Sequence, residues 1–193
     1  MSVEATDTDK KKTIANAAFE VFATHGFRKT SMQLIAEKAG MSRPALYLHF
    51  ESKEDVFGYL SIGYLTKVAE DIDAVLQASG APVDVLQRMF DAYDPGGIKA
   101  NLLDAEHGAE LMEIKQNSVK DVADKIAIRI CGALTEWLKR EAALGHIACA
   151  SPEVTAQTIM SAYYGLVTPP PSYAEYKART QNLAQMLGQG LTI

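Results

Sequence analysis

The chain has 193 residues, of which 48% are hydrophobic and 22% are charged, a composition typical of soluble globular proteins. No apolar run approaches the roughly 20 residues that a membrane-spanning helix needs, and residues 1–9 lack the apolar stretch of a secretion signal. The two cysteines, Cys131 and Cys149, are too few and too isolated for a zinc ribbon or a disulfide-rich scaffold. We therefore expect a cytoplasmic protein with no membrane partner, no metal and no cofactor.

Charge is distributed unevenly along the chain. The formal net charge is −5, from 19 basic and 24 acidic side chains. Between Lys10 and Lys53, however, eight basic residues accompany only three acidic ones, so that this stretch carries an excess of five positive charges. A basic segment on an acidic chain attracts nucleic acid, although the same excess also arises by chance or for solubility.

Hydrophobic residues recur with the period of an α-helix along the whole chain, which predicts an all-α fold of about nine helices. Glycines, prolines and capping residues mark the boundaries. A capping box of Thr30 with Gln33 opens the second helix, and Ser42 with Pro44 opens the third. The predicted helices cover approximately residues 11–24, 30–38, 42–50, 52–80, 82–94, 102–115, 119–144, 151–167 and 173–187.

The segment from Thr30 to Phe50 is typical of a helix-turn-helix, with the turn at Ala39-Gly40-Met41. Two helices joined by a short glycine turn cross near a right angle, and the second can enter a DNA major groove about 12 Å wide. Four side chains of the predicted third helix, which is the second helix of this motif, have no obvious partner within it. They are of types that contact phosphate or base edges: Ser42, Arg43, Tyr47 and His49. The alternative is an ordinary helical hairpin.

A longer pattern surrounds this motif. It consists of Ile14, Ala18, Phe22, Gly26, Phe27, Thr30, Ile35-Ala36, Ala39-Gly40-Met41-Ser42, Leu46-Tyr47-Leu48-His49-Phe50 and Ser52-Lys53-Glu54. With these residues, the segment from Lys12 to Glu54 resembles the DNA-binding head of the TetR (tetracycline-repressor-like) family of transcriptional regulators. The resemblance implies a disordered tail over residues 1–9, a helix-turn-helix DNA-binding domain over 10–51, and a helical regulatory and dimerisation domain over 52–193.

The resemblance also implies which side chains meet a double-stranded, pseudo-palindromic DNA operator. They are Thr30, Ser31, Ser42, Arg43, Pro44, Ala45, Tyr47, His49 and Lys53. Arg43 has the planar fork that pairs with guanine, Pro44 and Ala45 would pack on a thymine methyl, and most of the others would contact phosphates. The alternatives are that Tyr47 lies partly in the core and that His49 is an ordinary surface histidine.

For the rest of the chain, the resemblance implies a homodimer that binds a small-molecule effector and then releases DNA, which is the behaviour of a ligand-responsive repressor. The expected dimer interface is Ala156, Ile159, Met160 and Tyr163 with Leu183, Met186 and Leu187. The expected effector pocket is Met89, Phe90, Tyr93, His107, Met112 and Trp137. Both sets have a plainer interpretation as core within one subunit, and the sequence identifies neither the operator nor the effector.

Two other functions compete with DNA binding. A helical dimeric interaction module would use the helix-turn-helix only as architecture. A carboxylate-metal helical enzyme would use the acidic cluster Asp104, Glu106, Glu110 and Glu113, but the chain contains no catalytic motif that we recognise, and we expect no enzyme.

Overall fold

The computed structural model describes residues 6–192, and within them the chain forms ten α-helices and no strand. The helices are α1 (Asp7–His25), α2 (Met32–Lys38), α3 (Arg43–Tyr47), α4 (Lys53–Gln77), α5 (Pro82–Asp91), α6 (Ile98–Leu103), α7 (Gly108–Ser118), α8 (Lys120–Ala143), α9 (Pro152–Leu166) and α10 (Tyr173–Leu191). A short 3-10 turn, Pro95–Gly97, precedes α6. The predicted all-α fold is confirmed.

The helices pack as two compact units. The head unit comprises the described residues up to Tyr64 together with Asp104–Asp121, and the body unit comprises Leu65–Leu103 and the described residues from Val122 onward. The head unit therefore includes α7, which is separated from the other head helices by some forty residues of sequence. The functional boundary predicted between residues 51 and 52 stays a prediction.

The observed helix boundaries differ from the predicted ones at the start of the chain. Helix α1 begins at Asp7, about four residues earlier than predicted, because Thr6 and Asp9 form a capping box there. Residues 1–5 of the predicted tail lie outside the described residues. The cap of α2 is Ser31, whose hydroxyl accepts from the Leu34 N–H, and not Thr30 as predicted.

Two later elements also differ. Helix α3 ends at Tyr47 and not at residue 50. The predicted sixth helix, over 102–115, is two helices, α6 and α7, separated by residues 104–107.

The core of the head unit is built around three aromatic rings. The Phe22 ring stacks on Phe27 with their centroids 5.3 Å apart, and Phe57 of α4 meets both edge-on at 5.3–5.5 Å. Offset and edge-to-face pairs of this kind add about 0.5–1.5 kcal/mol each to the burial of their surface. Ile35 of α2 and Leu46 of α3 are fully buried in the same unit. Within the unit, α2 packs against α1, and α3 packs against α2.

Helix α7 joins the head unit through Glu110. Its Oε1 accepts a hydrogen bond of 3.0 Å from the backbone N–H of Arg28, at the turn that follows α1. Gly26, with φ of +77°, permits this approach, since a Cβ atom there would lie 2.7 Å from Glu110 Oε2. Glycine is favoured here chiefly by the backbone angle, since the nearby carboxylate is the end of a flexible side chain.

The body unit buries a lysine. The Lys99 ammonium donates hydrogen bonds to the hydroxyls of Tyr163 (2.9 Å) and Tyr176 (3.1 Å), and it lies 4.2 Å from the Tyr176 ring centroid. The Tyr176 hydroxyl in turn donates to the Phe90 carbonyl at 3.1 Å. Burial raises the pKa of Tyr176 well above its ordinary value, so this phenol stays neutral. The cluster ties α6 to α9, α10 and α5.

Candidate nucleic-acid interface

The turn between α2 and α3 is closed by backbone hydrogen bonds. The Met41 N–H donates to the Ala36 carbonyl at 3.0 Å, and Gly40 takes the left-handed conformation, with φ of +69°. A glycine is favoured there because side chains rarely adopt this angle. Ser42 then caps α3 by accepting from the Ala45 N–H at 3.3 Å. The helix-turn-helix predicted from the sequence is present.

Helix α3 buries one face and presents the other to solvent. Leu46 is fully buried, whereas Ser42, Arg43 and Pro44 are exposed. Tyr47 is 44% exposed, and its hydroxyl accepts a hydrogen bond of 3.3 Å from the Arg43 guanidinium, which also lies over its ring. The face opposite the core is therefore polar, and its donors point away from the protein interior.

Thr30 and Lys53 have partners inside the head unit. The Thr30 side chain is buried, and its hydroxyl donates to the Gly26 carbonyl at 2.7 Å. The Lys53 ammonium donates to the carbonyls of Phe27 (2.8 Å), Arg28 (3.2 Å) and Thr30 (2.9 Å). Both side chains hold the turn between α1 and α2 in place, and their predicted contact with DNA stays a prediction.

His49 follows α3 and pairs with the start of α1. Its Nδ1 lies 2.7 Å from Asp7 Oδ1, and the other oxygen of Asp7 lies 3.3 Å from the Lys11 ammonium. The hydrogen bond from His49 holds the pKa of the Asp7 carboxyl below its ordinary value, so the carboxylate is charged. His49 is thus neither isolated nor free to turn.

Leu48 is a candidate contact residue that the sequence analysis missed. Its side chain is 82% exposed, directly after α3 and between Tyr47 and His49. A sign of this was available, because residues two apart on a helix point about 200° apart and the buried position is Leu46. An apolar group on this surface can contact the methyl group of thymine.

Comparison with known proteins identifies this part of the chain. Residues 14–60 match the family model described as bacterial regulatory proteins, tetR family. Residues 14–60 are a DNA-binding domain of the TetR family. The chain is a DNA-binding transcriptional regulator, and this domain spans the helix-turn-helix described above.

Relatives of this chain include an uncharacterised HTH-type transcriptional regulator of Bacillus subtilis, YhgD, which is 25% identical over 82% of this chain and 83% of its own length. A second B. subtilis regulator, YdgC, is 30% identical, but the match covers 45% of each chain. Among solved structures, SmeT of Stenotrophomonas maltophilia has a TM-score of 0.69 and 20% identity, covering 98% of this chain and 92% of SmeT. At that identity, the likeness to SmeT shows the fold.

The six residues predicted to line an effector pocket fall in different units. Met89, Phe90, Tyr93 and Trp137 are buried in the body unit, and His107 and Met112 belong to the head unit. The Tyr93 hydroxyl donates to the sulfur of Met160 at 3.7 Å. A single pocket formed by all six residues stays a prediction.

The residues predicted to pair two subunits also fall into two groups. Ala156, Ile159, Met160 and Tyr163 of α9 are buried within the chain itself. On α10, Leu183 and Leu187 are half-buried, whereas Met186 is 63% exposed. The exposed hydrophobic residues of α9 are instead Val154 and Tyr164.

The acidic cluster does not form a metal centre. No group of three or more histidine, cysteine or carboxylate side chains in the described part of the chain is placed to hold a metal ion. Glu110 already accepts a hydrogen bond from the Arg28 backbone N–H, as described above.

Over residues 6–192 we find no helix with the length and apolar character needed to cross a membrane.

Proposed function

We propose that the protein is a homodimeric repressor that reads a pseudo-palindromic operator through α3 and releases it when a small molecule binds the body unit. The observation that carries the proposal is the exposed polar face of α3, with Arg43 and Tyr47 held together and directed to solvent. Arginine and tyrosine are also common in protein–protein interfaces, so the DNA-binding experiment below decides between DNA and a helical partner.

Within this proposal, the residues at α3 have separate tasks. Arg43 pairs with a guanine, because its guanidinium donates two parallel hydrogen bonds to O6 and N7. Pro44, Ala45 and Leu48 offer apolar surface to thymine methyl groups. Ser31 and Ser42, at helix N-termini, add hydroxyl and N–H donors for phosphates, as does Tyr47.

Dimerisation is proposed through the exposed surface of α9 and α10. Val154, Tyr164 and Met186 leave apolar surface on these two helices, which pack on each other within one subunit. Two helices from each of two subunits would form a four-helix bundle. A dimer gains affinity because two heads bind half-sites one helical turn apart, roughly 34–36 Å.

Release by an effector is proposed from the character of the body unit and from a relative. Met89, Phe90 and Tyr93 bring thioether and aromatic groups to α5 and its C-terminal end, which suits an apolar or aromatic ligand. SmeT, described as the repressor of a multidrug efflux pump, is also known as a complex with triclosan. A ligand that binds one position of α4 better than another would shift the population away from the DNA-binding state.

The test is a comparison of Arg43→Ala and Arg43→Lys on two duplexes. One duplex is the operator selected by the wild-type protein from a random-sequence library, and the other has an unrelated sequence. Arg43→Ala should weaken operator binding by about 1–3 kcal/mol. Arg43→Lys keeps the charge but loses the fork, so it should lose nearly as much on the operator while binding the unrelated duplex like the wild type.

Two results would refute the assignment. Equal losses on both duplexes would show that Arg43 contacts phosphate and not a base. If the wild-type protein selects no sequence and shows no salt-dependent binding to any duplex, the helix-turn-helix is architecture only, and the interaction module is correct.

A further inference from the structure

The pairing of Asp7 with His49 joins two segments that lie 42 residues apart, and it does so at the edge of the proposed DNA surface. The His49 side chain is 14% exposed. Its Nε2 has no hydrogen-bond partner among the described residues and is not one of their buried unbonded polar atoms. The ring therefore has one nitrogen fixed by the protein and one available to a ligand.

The carboxylate decides which nitrogen carries a proton. Asp7 is ionised and can only accept, so the proton of the 2.7 Å hydrogen bond must lie on His49 Nδ1. A neutral imidazole has a single N–H, and the open Nε2 is then a lone-pair acceptor. In that form the ring would repel a phosphate oxygen. Only the imidazolium, with a second proton on Nε2, can donate to one.

Charged side chains surround the pair on both segments. On α1, Asp7 is bonded both to the His49 ring and to Lys11. Along its own segment, the nearest titratable neighbours are Tyr47, bonded to Arg43, and Glu51. The side chain in direct contact with the ring is thus an anion, and a phosphate on the other side would place the imidazolium between two negative charges.

We infer that Asp7 is a positioning residue for DNA binding: it holds the His49 ring so that Nε2, protonated by solvent, donates to a phosphate, and each bound head takes up one proton. This inference rests on the proposed function, because it needs His49 at the DNA backbone. Because a proton is taken up on binding, the affinity for DNA should rise as the pH falls.

The experiment uses the full chain and a fluorescein-labelled 30-base-pair duplex of arbitrary sequence, because a phosphate contact needs no operator. Binding is measured by anisotropy from pH 5.5 to 8.5 at one ionic strength. The wild-type Kd should fall about tenfold or more from pH 8 to pH 6, because each head that binds takes up a proton. Calorimetry in two buffers of different ionisation enthalpy should report proton uptake on binding.

The variants separate positioning from simple charge. Asp7→Asn should bind several-fold more weakly at pH 6 and lose most of the pH dependence, and Asp7→Glu should restore it. His49→Gln should bind with no pH dependence, and adding Asp7→Asn to it should change nothing further. Glu51→Gln is the matched control, because it removes one negative charge from an exposed side chain two residues after His49 and leaves the Asp7–His49 pair in place.

Three results would overturn the inference. Tighter binding by Asp7→Asn at every pH would show that Asp7 only repels DNA. A wild-type Kd that does not change with pH, without proton uptake, would show that His49 donates no second proton, while the proposed function would survive. Failure of the wild-type protein to bind any duplex would overturn both proposals.

Discussion

The packing of α10 on α5 makes a sharp prediction about Gly188. Replacing it with alanine would place a Cβ atom 2.5 Å from the Cα and 2.6 Å from the backbone N of Val83. Carbon atoms pack at about 3.5–4.0 Å, so the two helices would have to separate by roughly 1 Å. Overpacking of this kind costs about 3 kcal/mol, because backbone atoms cannot rotate away. Alanine returns about 1 kcal/mol as the better helix former, which leaves a net loss of about 2 kcal/mol.

The measurement is thermal unfolding followed by circular dichroism at 222 nm. For a chain of this length, a loss of about 2 kcal/mol lowers Tm by roughly 4–8 °C. Gly190→Ala is the matched control on the same helix, since a Cβ atom there meets nothing within 4 Å, and it should raise Tm slightly. Gly132→Ala on α8, also unobstructed, guards against an effect of subunit pairing at Gly190. The packing argument would fail if Gly188→Ala melted at the same temperature as Gly190→Ala.

Two further predictions concern charged residues that stabilise the fold. Lys53→Met removes the donor to three carbonyls and should lower the free energy of unfolding by about 2 kcal/mol in urea titrations. Lys29→Met, at an exposed site, is the control and should change the free energy of unfolding by less than about 0.5 kcal/mol. An unchanged urea midpoint for Lys53→Met, together with a weaker salt dependence of DNA binding, would show that its ammonium serves phosphate instead. Glu141 is buried, and its pKa is lowered from the ordinary value of 4.5, first by the hydrogen bond from His146 and also by Arg140. Its ionised carboxylate therefore stabilises the fold above about pH 4.5, and this stabilisation is lost as the pH falls through the lowered pKa of the folded state. Glu141→Gln should therefore be less stable than the wild type by about 1–3 kcal/mol at pH 7, and the difference should shrink as the pH falls below the folded pKa of Glu141; a difference that stays constant as the protein is acidified would contradict this assignment.

The sequence predicted the features that depend on neighbouring residues. The helical period, the glycine turn at Gly40 and the cap at Ser42 are local, and each is found where it was expected. The cap of α2 was misplaced by one residue, because Thr30 and Ser31 can both cap a helix. Only the contact of the Thr30 hydroxyl with the Gly26 carbonyl decides between them.

What the sequence did not reveal depends on residues far apart. The residues near His49 in the sequence do not indicate that Asp7 is its partner. The residues near Lys99 do not indicate that its ammonium is buried against tyrosine hydroxyls. The resemblance to the TetR family predicts that the face of α9 with Tyr163 pairs two subunits, which stays a prediction. The structure shows this face buried within the chain, with Tyr163 bonded to Lys99.

The inclusion of α7 in the head unit bears on how DNA specificity could be exchanged between regulators. A chimera with a single junction near residue 51 or 64 would contain α3 but would lack the Glu110 carboxylate, which accepts the hydrogen bond from the Arg28 backbone N–H. A transplanted head should instead carry residues 104–121 as a second insert, or else find a matching acid in its host. An exchange of the head unit between regulators therefore involves two separate segments of this chain.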